Sequence, residues 1–313
     1  MKVLKKLLPI LVLSLFFQSC SDDEVVTPEV ATNTIVDVAI ANNLTSLVAA
    51  VTRADLAGTL SGDGPFTVFA PTNAAFQALL DSNASWTSVN DIPVETLRAV
   101  LLFHVLDSEV MSSALSDTYV NTLSTGPNAE PISLQVEVTG GVEFNGDATP
   151  VVVDVNASNG IVHVINKVML PPNVVTLALN NDAFTSLVAA LTRADLTTDF
   201  VAVLSGTGPF TVFAPTNDAF QALLDSNPDW NTLADIPVET LEDVLLYHVI
   251  NGGNVQANQL ANGPVATLGG EITIDLSNGA QIITSSDQTV NIIITDVQGA
   301  NGVIHAVDTV LVP

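Results

Sequence analysis

Four histidines, His104, His163, His248 and His305, are the residues of this 313-residue chain best suited to proton transfer or metal binding, and they fall into two matched pairs. A zinc site would need them to converge with carboxylates or thiolates. The chain offers no His-x-x-x-His pair, no Cys-His set and no oxygen-rich calcium loop around them. The usual fate of such residues is a buried ring whose nitrogens are satisfied by backbone groups. His163 and His305 are therefore read as structural, and neither a metal nor a cofactor is expected. Nucleophilic catalysis has no better footing, since the chain has no Gly-x-Ser-x-Gly elbow and its one cysteine, Cys20, lies near the start. Paired carboxylates such as Glu137 and Glu143 could serve glycoside hydrolysis only at a defined separation. They lie in a hairpin region where solvated charges are expected, so the chain is not read as an enzyme.

Cys20 has a different chemistry in view. Lys2, Lys5 and Lys6 precede the apolar run 7–17, and Gln18-Ser19-Cys20 closes it. That is the charged, apolar, small-residue order of an export signal, and the run is short for a membrane span. It resembles a bacterial lipoprotein signal, which implies cleavage before Cys20 and a lipid on its sulfur. Phe17 and Gln18 depart from the commonest form of that motif. Residues 1–19 would then be the signal peptide, and 20–33 the lipidated cysteine and a tether without helical or strand period. Acidic Asp22-Asp23-Glu24 directly after the cysteine resembles the surface-export signal of lipoproteins in Bacteroidetes-like bacteria. The expected place is the cell envelope, lipid-anchored in the outer membrane and exposed at the surface.

Charge narrows the partners. Loss of residues 1–19 removes three of seven basic residues and leaves Arg53, Arg98, Lys167 and Arg193 against 33 acidic ones, a net charge of −29. Such a surface repels nucleic acid and anionic headgroups and keeps an exported protein soluble.

Repetition sets the architecture. Thr45–Leu56 recurs as Thr185–Leu196 with one change, and Gly64–Asn83 recurs as Gly208–Asn227 with one change. The chain is expected to hold two domains, 34–172 and 173–313, each long enough to bury its own core. Within a copy, helical spacing comes first: Ile35, Val38, Ala39, then Leu44, Leu47, Val48, Val51, with Asn42-Asn43 as the break. Thr67–Ala70 reads as a strand ended by Pro71, with Thr72 as N-cap of the next helix. Pro93 opens another helix, on which Leu97, Val100, Leu101 and His104 share one spacing. From Tyr119 onward the pattern is alternating or β-branched. Helices followed by strands make the fold class α+β.

Three segments then carry a resemblance. Thr67–Asn73 with Ala75-Phe76, Phe103-His104-Val105, and Asn159–Ile165 resemble the signature segments of the fasciclin-like domain family. Thr211–Asn217 with Ala219-Phe220, Tyr247-His248-Val249, and Asn301–Val307 repeat them in the same order. The resemblance covers residues 34–313. It implies two domains, each a β-sandwich or wedge with packed helices, and a role in adhesion or binding at cell surfaces and matrices.

The resemblance also implies a site. In animal matrix members, an Asp followed by an aliphatic residue, together with a Tyr-His pair, engages integrins. The matching residues here are Asp154-Val155 with Phe103-His104, and Asp296-Val297 with Tyr247-His248. Phe103 lacks the hydroxyl of that pattern. A plainer role for Asp154 and Asp296 is to order the turn before the last core strand by bonding backbone amides. The expected function is a surface-anchored, non-enzymatic adhesion or matrix-binding protein. Its expected partners are polysaccharide, matrix protein or another cell envelope, with the membrane engaged through the lipid on Cys20. The alternatives are an envelope lipoprotein holding a small apolar or carbohydrate ligand and, third, a hydrolase.

Overall fold

The computed structural model describes residues 33–313. The export signal, Cys20 and all but the last residue of the tether lie outside the described residues.

The first repeat carries helices α1 (Ile35–Ala41), α2 (Thr45–Arg53), α3 (Ala57–Leu60), α4 (Asn73–Asp81) and α5 (Val94–Phe103). Its strands are β1 (Phe66–Pro71), β2 (Val105–Leu106), β3 (Thr118–Thr125), β4 (Pro131–Glu137), β5 (Glu143–Phe144), β6 (Pro150–Ala157) and β7 (Gly160–Ile165). The second repeat follows with α6 (Val174–Leu179), α7 (Thr185–Leu191), α8 (Phe200–Leu204), α9 (Asn217–Asp225) and α10 (Val238–Tyr247). Its strands are β8 (Phe210–Pro215), β9 (Val249–Asn251), β10 (Gly263–Thr267), β11 (Gly270–Asp275), β12 (Gln281–Ile283), β13 (Thr289–Gly299) and β14 (Gly302–Val307).

Short polar side chains cap α1, α4, α6, α8 and α9. Thr34 and Asp37 close a reciprocal capping box on α1. Thr72 accepts the Ala75 N–H at 3.1 Å, and Thr216 accepts that of Ala219 at 3.3 Å. Asn43, at φ 55°, separates α1 from α2 in the left-handed conformation that Asn tolerates. Arginine carries part of the helix packing too. Arg98 Nη1 donates to the Ala54 carbonyl at the end of α2, at 3.0 Å, and Arg193 Nη1 reaches the Leu233 and Ile236 carbonyls at 2.8 Å each.

The first strand of each repeat pairs in parallel with the last, which closes the fold across almost its whole length. β1 lies beside β7 from Phe66 opposite Gly160 to Pro71 opposite Ile165, and β8 beside β14 in the same register. The sheet of repeat 1 runs β2-β1-β7-β6, and its central strands β1 and β7 are buried on both faces. Val68, Ala70, Val162 and Val164 point to the helices, where they join Leu47, Phe76 and Leu101. Phe69 and Ile165 point the other way, into a second core with Phe103 of α5 and with Leu134, Val136 and Phe144 of the small sheet β3-β4-β5. Repeat 2 has the same two cores. There the long β13 runs from one sheet into the other, so all seven strands join in the order β10-β11-β12-β13-β14-β8-β9. The expected α+β wedge with packed helices is the architecture found.

The two repeats pack directly on each other within one compact unit. The outer face of the small sheet in repeat 1 is covered by repeat 2, so Ser133 and Gln135 are buried although they point away from their own core. The Gln298 backbone N–H donates to Ser133 Oγ at 3.0 Å, and Asn181 Nδ2 donates to the Tyr119 hydroxyl at 2.8 Å. Gly126 has an ordinary φ of −96°, yet a Cβ there would lie 2.5 Å from the Gly299 carbonyl oxygen. Only close approach requires glycine at this position.

Candidate partner-binding site

The four histidines clamp the backbone in two ways. His104 ends α5 with Nδ1 2.7 Å from the Val100 carbonyl, so Nδ1 carries the proton, and Nε2 accepts the Met169 N–H at 3.0 Å. His248 does the same with Val244 and Leu311, at 2.7 and 2.9 Å. His163 and His305 use the opposite tautomer. Their Nε2 atoms donate to the Val110 and Val255 carbonyls at 2.9 and 2.8 Å, and their Nδ1 atoms accept the backbone N–H of Asp154 and Asp296 at 3.3 Å. Both nitrogens of every ring are engaged while the ring is neutral. Burial holds the His104 and His248 rings down to about 4 and lowers His305 as well. Among the described residues, no three His, Cys, Asp or Glu side chains are grouped to hold a metal.

Asp154 and Asp296 sit in left-handed backbone, φ 58° and 62°, inside bulges where β6 and β13 lose register with β7 and β14. Each bulge turns the carboxylate toward a loop 42 or 39 residues earlier. Asp154 Oδ1 accepts the Ser112 N–H at 2.7 Å while Oδ2 accepts the Ser112 hydroxyl. Those two bonds, the hydroxyl first, keep its carboxyl below the usual range. Asp296 accepts the Ala257 N–H at 2.7 Å, and alanine supplies no hydroxyl. The side chain of Asp296 is 39% exposed against 27% for Asp154.

The sequence-derived partners of these aspartates go elsewhere. Phe103, His104, Tyr247, His248 and Val297 are all buried, and Val155 packs on the helical core of repeat 1. A molecule docking on this surface meets Asp154 and Asp296 but none of the five buried residues. The Tyr247 hydroxyl donates to the Glu271 carbonyl at 2.8 Å and accepts the Ser285 N–H at 3.1 Å. It holds the small sheet of repeat 2 to α10. Expecting the pair at the surface overlooked a signal in the sequence: the spacing that puts His104 on one stripe with Leu97, Val100 and Leu101 is the spacing of a buried face.

The exposed aliphatic residues beside each aspartate lie two and three positions before it. Val151 and Val152 are 59% and 47% exposed, and Ile293 and Ile294, at the same distance from Asp296, are 51% and 46% exposed. Val153 and Met111 extend the patch in repeat 1. β6 is the last strand of its sheet, so its outer edge carries unpaired backbone groups as well. Each repeat therefore presents a branched apolar pair beside a carboxylate fixed by its loop. The β-branched run Val151–Val155 is equally typical of a strand buried on both faces, so its spacing alone does not reveal this exposure.

A model of the fasciclin domain matches the chain twice, at residues 42–171 and 182–313. Protein sll1483 of Synechocystis sp. is 40% identical over 141 residues, covering 45% of this chain and 73% of that protein. Transforming growth factor-beta-induced protein ig-h3 of Sus scrofa is 29% identical over 263 residues, 81% of this chain and 35% of that protein. Periostin of Homo sapiens is 29% identical over 264 residues, 81% of this chain and 29% of that protein. The chain thus spans about a third of those two animal relatives. Among solved structures, a FAS1 domain pair from the insect cell adhesion molecule fasciclin I aligns with 86% of this chain and 94% of its own, at 18% identity and a TM-score of 0.47.

Proposed function

The chain belongs to the fasciclin domain family, and from that premise we propose that it is a non-enzymatic adhesion or matrix-binding protein that meets its partner through the carboxylate and aliphatic pair on each repeat. The observation that carries this reading is recurrence. Val151, Val152 and Asp154 on one repeat are matched by Ile293, Ile294 and Asp296 on the other, the aliphatic pairs exposed and the carboxylates half-buried in both. Apolar side chains left in water beside a fixed anion suit a protein surface that offers an aliphatic groove and a basic group. A matrix protein or the protein coat of another cell fits that chemistry better than a polysaccharide. Asp296 is the stronger of the two anchors, because one of its oxygens has no hydroxyl donor to satisfy it. Two such patches on one packed pair add avidity only for a partner array that both can reach together.

The proposal includes export and anchoring through a lipid on Cys20, as the N-terminal sequence suggests. No helix among the described residues is long and apolar enough to cross a membrane. Beads coated with the purified chain and counted on matrix proteins, on envelope polysaccharide and on whole cells test the reading. Retention on a protein-bearing surface is the expected result. Beads that wash off all three surfaces would contradict it.

A further inference from the structure

The two repeats differ in the packing of the small-sheet strands and in the polar residues beside them. Strand register identifies the counterparts: Val120 opposite Leu134 in repeat 1 is Val265 opposite Ile272 in repeat 2, and Val136 opposite Phe144 is Ile274 opposite Ile282. In repeat 1 the Phe144 ring packs on Phe69 with centroids 4.5 Å apart. Repeat 2 has Phe213 in the place of Phe69 but only Ile282 in the place of Phe144. A cavity of about 290 Å³ lies on the β10 side of Phe213, walled by Phe213, Ile250, Leu260, Val265 and Ile274 and not by Ile282, with Gln259 and Asn262 at its mouth.

The polar residues of this cavity differ from their counterparts in repeat 1. Asp117 in repeat 1 accepts the Val138 N–H at 2.6 Å, and its counterpart Asn262 accepts the Leu276 N–H at 2.7 Å. The capping bond is the same, so it does not account for the amide. What Asn262 adds is an NH₂ group in place of a negative charge. Gln259 ends the short turn Ala257–Gln259, where repeat 1 has Ala114 ending Ser112–Ala114. Its oxygen accepts the Gln256 N–H at 3.0 Å, which again leaves the NH₂ group to other partners. No charged residue lines the cavity.

We propose that the wedge of repeat 2 binds a small neutral molecule with an apolar body and one hydrogen-bond-accepting oxygen. The body would lie against Phe213, Val265 and Ile274, and the oxygen would meet the amide groups of Asn262 and Gln259. Neutrality follows from two observations. The walls supply no counter-charge, and a chain of net charge −26 repels an anion before it arrives. The volume sits at the lower end of small-molecule pockets and suits a ligand of roughly a dozen non-hydrogen atoms. This inference is independent of the adhesion reading, since it uses the inner face of the small sheet and not the strand edge at Ile293.

The probe is 4-fluoroacetophenone, which has an aromatic body and a single carbonyl acceptor, titrated with the purified full chain and followed by fluorine NMR. The expected result is saturable one-to-one binding, abolished by Val265→Phe and weakened about tenfold by Asn262→Asp, the scale of one lost hydrogen bond plus an opposed charge. Asn262→Asp keeps the capping oxygen that Asp117 supplies in repeat 1, so this variant folds even if the larger ring at 265 does not. Absence of saturable binding by the unmodified chain overturns the proposal. So does affinity that is unchanged in folded Val265→Phe, or unchanged in Asn262→Asp.

Discussion

Asp154 holds Ser112 with both carboxylate oxygens, one on the backbone N–H and one on the hydroxyl, across 42 residues of chain. Asp296 holds Ala257 by the N–H alone. The same bulge is thus tied down twice in repeat 1 and once in repeat 2. Ser112→Ala gives repeat 1 the bonding of repeat 2 and should cost about 1 kcal/mol, the usual net worth of one such bond. Urea denaturation measures it. Ala257→Ser should stabilise by a similar step.

Acid should weaken the fold before the aspartates titrate. His104 and His248 are neutral in the folded chain, with values lowered to about 4 from 6.5. Between those limits the unfolded chain binds protons that the folded chain does not, so stability is full above about pH 6.5 and falls as pH drops toward 4. The slope is about 1.4 kcal/mol per pH unit for each ring. Burial lowers His305 in the same direction. The aspartates with depressed values, Asp154 among them, add their losses only further into acid. Urea midpoints between pH 4 and 7 should show this slope, and His104→Gln should lessen it by the share of one ring while His248 keeps the rest.

Gly126→Val drives a branched side chain into the Gly299 carbonyl and should part the repeats without touching either core. Calorimetry of the unmodified chain should show one cooperative transition. The variant should show two, or one at a temperature several degrees lower.

Gly160→Ala should be far more damaging. A Cβ at Gly160 would lie 2.0 Å from the Phe66 carbonyl oxygen, in backbone at φ 150° that disfavours any side chain. The contact falls on the parallel pair β1–β7 that closes the repeat. Loss of soluble folded protein is the expected outcome, and circular dichroism of the refolded chain checks it.

Much of this fold was legible in the sequence where the signal is local. The break at Asn42-Asn43, the Thr72 cap and the late strands follow from spacing and side-chain chemistry within a few residues. The parallel pairing of β1 with β7 was not, because a strand's pattern records how it is buried and not which strand lies beside it. Asp154 shows the same limit at the site. Its role in ordering backbone was foreseeable, but Ser112 as partner was not, since nothing in the sequence links positions 42 apart. The exposure of Val151 and Val152 depends on β6 being an edge, a property of the assembled sheet.

The measurement that tests the adhesion reading most directly compares three bead coatings on the surface that retains the unmodified chain: unmodified, Ile294→Asp with Asp296→Asn, and Leu179→Asp. Leu179 is an exposed leucine on α6, outside the aspartate and aliphatic patch, and controls for replacing an exposed aliphatic side chain by aspartate. Circular dichroism must show all three folded. The account predicts that the double variant loses most of its retention while Leu179→Asp keeps it. Equal retention by all three coatings would contradict the assignment of the aspartate and aliphatic patch as the adhesive surface.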